Sequence, residues 1–216
     1  MSRRIERLDL VGPAGRLEAQ WMIPAQPRAG AALVLHPHPQ HGGTMHTKAV
    51  HATARALAAA GLPVLRFNFR GVGRSAGHHT GGPGELEDAR AALAWLSAHN
   101  PRGPLLVGGF SFGAWVALSL GSSESALAGL LAIAPPLGMY DFGFVTPTGV
   151  PILCVAGTRD PFCPEPDLDR FAAKHPARVT LAVLCGAEHL LTAHLPELES
   201  AVTRFAVRCL GSASPP

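Results

Sequence analysis

Apolar runs alternate along the chain with turn-forming residues, and the period of the runs changes from segment to segment. Ile5 to Val11 and Leu17 to Ile23 flank the turn Gly12-Pro13-Ala14-Gly15 and predict two paired strands. Ala31 to Leu35 is continuously apolar, as expected of a strand buried on both faces. From a cap at Thr44, Val50, Ala54, Leu57 and Ala58 recur at helical spacing to about Ala60, and Gly61 stops the helix. Pro63 to Phe69 predicts the next strand, followed by a glycine-rich loop through Gly84. Glu85, Glu87 and Asp88 then occupy the first turn of a helix whose face is Leu86, Ala89, Leu93 and Leu96, ended by Asn100-Pro101.

Further on, Leu105 to Gly109, Gly129 to Ala134, Ile152 to Ala156 and Val179 to Leu184 read as strands. Phe112 to Leu120, Asp167 to Lys174 and about Leu195 to Val207 read as helices. Strands alternating with helices predict an α/β fold: a mostly parallel central sheet, helices on both faces and right-handed crossovers. Neither a second compositional zone nor an internal repeat interrupts this alternation. One domain over residues 1–216 is therefore expected, with 211–216 as a frayed, disordered tail.

Composition narrows the class. Of 216 residues only 15% are charged, against about 25% in an average soluble protein. A chain of this size buries roughly 70% of its unfolded surface, so disulfide staples are not needed. Cys154, Cys163, Cys185 and Cys209 show neither C-x-x-C nor zinc-ligand spacing and read as free thiols, two of them inside strands. The 16 arginines and two lysines are scattered singly apart from Arg3-Arg4, leaving a net charge of +3. With no stripe to follow a phosphate backbone, no nucleic-acid partner is expected.

The opening MSRRIERLDL breaks every apolar run with a charge and lacks a secretory signal's apolar core, so a cytoplasmic location is expected. Gly103 to Ser123 runs 21 residues without a charge, the length of a membrane span. Gly108-Gly109-Phe110-Ser111-Phe112-Gly113 would break such a helix at its centre. Two short buried elements joined by a tight turn fit better, and no membrane partner is expected.

That turn carries the chemistry. Gly109-Phe110-Ser111-Phe112-Gly113 is G-x-S-x-G between a predicted strand and a predicted helix, the context that gives the motif meaning. A serine at the tip of such a turn is held exposed and strained. Small residues two positions either side let strand and helix approach, and the helix N-terminus faces any oxyanion that develops.

The segments HPHPQHGGTMHTKAV, LRFNFRGVGRSAG and GGFSFGA follow one another in this order. With them the sequence resembles the α/β-hydrolase superfamily over nearly its whole length. More closely it is similar to the small, lid-poor predicted hydrolases related to dienelactone hydrolase. The resemblance implies an α/β-hydrolase fold with Ser111 as nucleophile, an acid after a late strand and a histidine after the last. Carried onto this chain, the acid falls on Asp160 in Gly157-Thr158-Arg159-Asp160, with Asp167 and Asp169 competing from the next helix. The histidine falls on His189 after the last strand; His175 and His194 follow a strand end less closely. The implied reaction is two-step acyl transfer through an acyl-enzyme, on a small-molecule ester and without a cofactor. One oxyanion donor is expected to be the Phe112 N–H. The other falls on His38 in His36-Pro37-His38-Pro39, since proline has no N–H, with Gln40 as the competitor.

His36, His38 and His41 invite a metal site, but the nearest acids are Glu18 and Glu85 and Pro37 limits convergence. These histidines are read as lining the pocket rim, with no metal. Gly71-Val72-Gly73-Arg74-Ser75 lacks the G-K-[ST] ending of a phosphate loop, and Arg70 and Ser75 are read as fixing that turn. Trp21, Trp95 and Trp115 are assigned to the core. A non-catalytic binding protein on the same fold stays open, as do thioesterase, lactonase and peptidase activities. About 17 residues separate Ala134 from Ile152, too few for a large lid. An open site favouring short acyl esters is expected, lined by Phe110, Phe112, Leu137, Met139 and Phe142, in a monomer or homodimer.

Overall fold

The computed structural model describes residues 3–100, 103–124, 126–146 and 148–211. Strands β1 (Arg4–Gly12) and β2 (Gly15–Ile23) form a hairpin in which Gly12 pairs with Gly15. There follow β3 (Ala31–Leu35), α1 (Lys48–Ala59), β4 (Val64–Phe67), α2 (Pro83–His99), β5 (Leu105–Phe110), α3 (Phe112–Ser123) and β6 (Leu127–Ile133). The chain continues through β7 (Ile152–Gly157), α4 (Glu165–Lys174), β8 (Val179–Leu184) and α5 (Leu195–Gly211). All eight strands join one sheet in the order β1-β2-β4-β3-β5-β6-β7-β8. The β1–β2 and β2–β4 pairs are antiparallel and the remaining pairs parallel.

The continuous apolar runs exist because the central strands are covered twice. Ala31, Leu33 and Leu35 of β3 pack with Ala89 and Leu96 of α2, Val116 and Leu120 of α3 and Phe171 of α4. Ala32 and Val34 face the opposite layer, where Val50 and Leu57 of α1 meet Val202 and Phe205 of α5. Arg55 on α1 pairs with Glu199 on α5 and ties that layer together. Because β3 and β5 to β8 run parallel, their C-terminal ends share one edge, and the loops that leave it converge.

Several boundaries depart from the sequence expectation. The first helix starts after Thr47 rather than Thr44. Thr44 N–H donates to Thr47 Oγ1 (3.3 Å) and Met45 N–H to Asn68 Oδ1 (2.9 Å), which draws residues 44–46 toward the end of β4 and out of the helix. The fourth strand ends at Phe67, two residues short of the expected Phe69, although Asn68 N–H still bonds the Glu18 carbonyl of β2 (2.8 Å). Glu85 and Asp88, near the start of α2, are fully buried. Asp88 receives Arg70 Nε (3.0 Å), Nη2 (2.7 Å) and N–H (3.0 Å), while Ser75 Oγ donates to the Asn68 carbonyl (2.6 Å). The three tryptophans are half-buried at the margin of the core, Trp21 edge-on to Trp95 at 5.6 Å. Cys154, Cys163 and Cys209 are buried free thiols, Cys185 an exposed one.

Gly211 closes α5 in helical conformation, and residues 212–216, the rest of the expected tail, lie outside the described residues. Among the described residues no helix is long and apolar enough to cross a membrane. The uncharged stretch from Gly103 to Ser123 is β5, the turn at Ser111 and α3.

Candidate functional site

Ser111 stands between β5 and α3 with φ 55° and ψ −121°, a conformation that an L-residue adopts only when its surroundings force it. Here they do. Its N–H donates to the Ile133 carbonyl at the end of β6 (2.8 Å), and its carbonyl accepts from Ala114 (2.8 Å) and Trp115 (3.3 Å) in the first turn of α3. A Cβ at Gly113 would lie 2.6 Å from the carbonyl oxygens of Leu35 and His36, and one at Gly109 would collide with the Gly113 backbone. The motif's two glycines therefore let α3 start directly against the ends of β3 and β5.

The loops after β7 and β8 deliver the other two residues. Asp160 Oδ1 accepts from the Phe162 N–H (2.9 Å), and Oδ2 lies 2.8 Å from His189 Nδ1. His189 Nε2 in turn lies 2.8 Å from Ser111 Oγ. The Asp160 side chain is wholly buried and that of His189 is 14% exposed, so the relay is screened from water except at its serine end. An Nδ1–H facing a buried carboxylate leaves Nε2 as the acceptor for the hydroxyl proton. The competing Asp167 is engaged by Arg170, and His175 lies at the end of α4.

Phe112 opens α3, so its N–H is among those a helix leaves without an internal partner. His38 precedes a short 3₁₀ turn, Pro39–His41, and its ring Nδ1 accepts the Gln40 N–H (3.2 Å). That bond takes up the competing donor. The rings of His38 and Phe112 lie 5.3 Å apart.

A cavity of about 350 Å³ opens on Ser111 and His189. Phe110, Phe112 and Met139 line it as expected from the sequence; Leu137 and Phe142 do not. Those two face a separate depression beside Phe171 and His175, and Phe142 is buried in the core between α3 and α4. The lining residues that the sequence reading passed over are Pro37, Pro136, Tyr140, Phe162 and Leu190. Phe162 and Leu190 stand two and one residues beyond Asp160 and His189, an adjacency that could have found them. No pattern marks Tyr140, which lies in irregular chain.

Behind the cavity, His79 packs on His38 (4.7 Å) and Phe112 (5.8 Å), and its Nδ1 donates to the buried Glu85 (2.9 Å). Burial opposes the Glu85 charge, but donors from Thr80 and Gly82 more than offset it and hold the carboxyl below its usual range. Burial, with His41 and His79 close by, holds His38 below the usual imidazole range. His36 is fully buried: Nε2 accepts from the Phe69 N–H (2.9 Å) and Nδ1 lies 2.6 Å from the Pro37 carbonyl. Both its nitrogens are thus committed within the protein, so His36, His38 and His41 do not form a ligand set. Among the described residues no group of three His, Cys, Asp or Glu is arranged to hold a metal ion.

The family model described as serine aminopeptidase, S33, matches residues 38–148, just over half of the chain. The chain belongs to this family of α/β serine hydrolases. An α/β serine hydrolase without lid from Xanthomonas campestris superposes on this hydrolase with a TM-score of 0.90 at 34% identity, covering 98% of this chain and 97% of that one. An uncharacterized protein of Rickettsia prowazekii is 36% identical over 205 residues, 91% of this chain and 86% of its own length. A monoacylglycerol lipase of Mycolicibacterium smegmatis is 28% identical over 166 residues, 75% of this chain and 56% of that protein. The fold is the α/β-hydrolase fold. The matched stretch contains His38, Ser111 and Phe112 but ends before Asp160 and His189. For those two residues of the hydrolase, the distances to Ser111 and to each other carry the argument.

Proposed function

We propose that this hydrolase cleaves small carboxylic esters through an acyl-enzyme on Ser111. The observation that carries the reading is the unbroken relay Ser111 Oγ, His189, Asp160, with two contacts of 2.8 Å ending at a strained, cavity-facing serine. His189 Nε2 takes the hydroxyl proton as Oγ attacks the ester carbonyl, and Asp160 orients and stabilises the imidazolium. The N–H groups of Phe112 and His38 receive the oxyanion. Collapse of the tetrahedral intermediate expels the alcohol with the proton from His189; a water, deprotonated by the same imidazole, then frees the acid and restores Ser111.

The relative named a monoacylglycerol lipase supports an ester as the substrate class. Against an aminopeptidase stands the cavity itself. Among its described lining residues none is Asp or Glu, so nothing there pairs with the ammonium of a peptide N-terminus.

The test is a panel of p-nitrophenyl esters, thioesters, lactones and aminoacyl anilides on the wild type and Ser111→Ala, with fluorophosphonate labelling of both. The expected result is ester hydrolysis and labelling by the wild type only, the variant losing roughly four decades of rate. Equal labelling of the two proteins would overturn the assignment, and a preference for anilides would replace the ester by a peptide.

A further inference from the structure

Resting on that reading, we propose that the preferred esters carry an aromatic ring, held by two groups of aromatic side chains that line the cavity at Ser111. The first group is a chain of ring contacts from His38 to Phe112 (5.3 Å, planes at 57°) and from Phe112 to Tyr140 (6.0 Å, 57°). The second is built on His189, whose ring meets Phe110 at 5.3 Å and Phe162 edge-on at 4.7 Å. All of these residues line the cavity of about 350 Å³ that opens on Ser111.

The size fits. The cavity's volume of about 350 Å³ lies near the lower end of small-molecule sites, roughly 300 to 1,000 Å³, and a dry site of about 150 Å³ already accepts benzene. Phe110 and Phe112 are 1% exposed, whereas Phe162 is 39% exposed and offers an apolar face that a bound ring would cover.

Hydrophobicity and aromaticity predict opposite orders for a phenyl and a cyclohexyl group. The saturated ring is the bulkier and buries at least as much apolar area, so a merely greasy cavity prefers it. Ring quadrupoles reverse the order, because edge-to-face and offset contacts add about two- to tenfold per aromatic pair beyond area.

The experiment compares kcat/KM for two matched pairs: ethyl 3-phenylpropanoate against ethyl 3-cyclohexylpropanoate, and the acetates of 2-phenylethanol and 2-cyclohexylethanol. Two methylenes insulate each ring from the ester, so intrinsic reactivity is matched, and the pairs probe the acyl and alcohol sides separately. The expected result is a phenyl preference of about threefold or more in at least one pair, reduced in Tyr140→Leu or in Phe162→Leu. A smaller preference in both pairs, or one that neither variant reduces, overturns the inference while Ser111-dependent ester hydrolysis stands. Absence of Ser111-dependent hydrolysis and labelling overturns the ester reading and this inference with it.

Discussion

His36 sits in the segment that most resembles a metal site, yet its neighbours turn it to a different task. Its Nε2 receives the Phe69 N–H at the end of the β4 region, and its ring packs on Phe69 at 4.6 Å. Burial pushes its pKa down to about 4; the Pro37 carbonyl and the Glu85 charge oppose this only in part. The ring is therefore neutral in the fold at neutral pH. A histidine held below its unfolded pKa of about 6.5 contributes stability above that value and loses it as pH falls through 6.5 toward 4. The loss comes to about 3 kcal/mol by pH 4. His36→Gln keeps an acceptor for the Phe69 N–H but cannot titrate. Urea unfolding at pH 7 and pH 4 is expected to show the wild type losing that much more stability than the variant. Glu85 also destabilises the fold as acid protonates it, but equally in both proteins. Matching losses would show that the imidazole is charged in the native state.

At the scale of elements, the acid and histidine loops are joined to each other before either reaches Ser111. Thr158 N–H donates to the Leu184 carbonyl (3.1 Å), Arg159 N–H to the Ala187 carbonyl (2.9 Å) and Gly186 N–H to Thr158 Oγ1 (2.8 Å). Gly157 makes this approach possible, since a Cβ there would enter the van der Waals shell of the Ala187 backbone. Backbone on both sides cannot give way as a flexible side chain would. Gly157→Ala is therefore expected to cost about 1 to 3 kcal/mol and to lower Tm by several degrees. It should also cut kcat more than KM by moving Asp160 from His189. Calorimetry and ester kinetics check both; unchanged kcat in a destabilised protein would remove the link between this contact and the relay. Elements of this kind were legible in the sequence to different depths. β3 could be bounded to the residue from its apolar run, because a strand covered on both faces leaves no polar position inside. The start of α1 could not, because what withdraws Met45 from the helix is Asn68, more than twenty residues on. Leu137 and Phe142 were misplaced because irregular chain has no period from which a side chain's direction follows.

For the molecule as a whole, what matters is the chain that joins β6 to β7, where a hydrolase with a lid would carry it. Residues 135–146 fold back on the body instead. Leu137 N–H bonds the Pro135 carbonyl (2.8 Å), Met139 and Tyr140 bond that of Pro136 (3.0 and 3.1 Å), and Gly138 N–H bonds that of Phe162 (3.1 Å). Phe142 and Val145 are buried in the core and anchor this segment to the body. Nothing in it is free to swing away at an oil–water boundary. Rates measured across the solubility limit of a short triglyceride are therefore expected to follow one hyperbola, without the jump that an opening lid produces. The same geometry limits chain length. A buried methylene contributes about 0.8 kcal/mol, but only while the cavity has room to take it from water. With about 350 Å³ to fill, kcat/KM in a series of straight-chain p-nitrophenyl esters should rise over the first few carbons and stop rising by about eight. A steady increase to twelve or sixteen carbons would mean that the exposed Met139 and Leu190 extend the cavity into a groove along the surface.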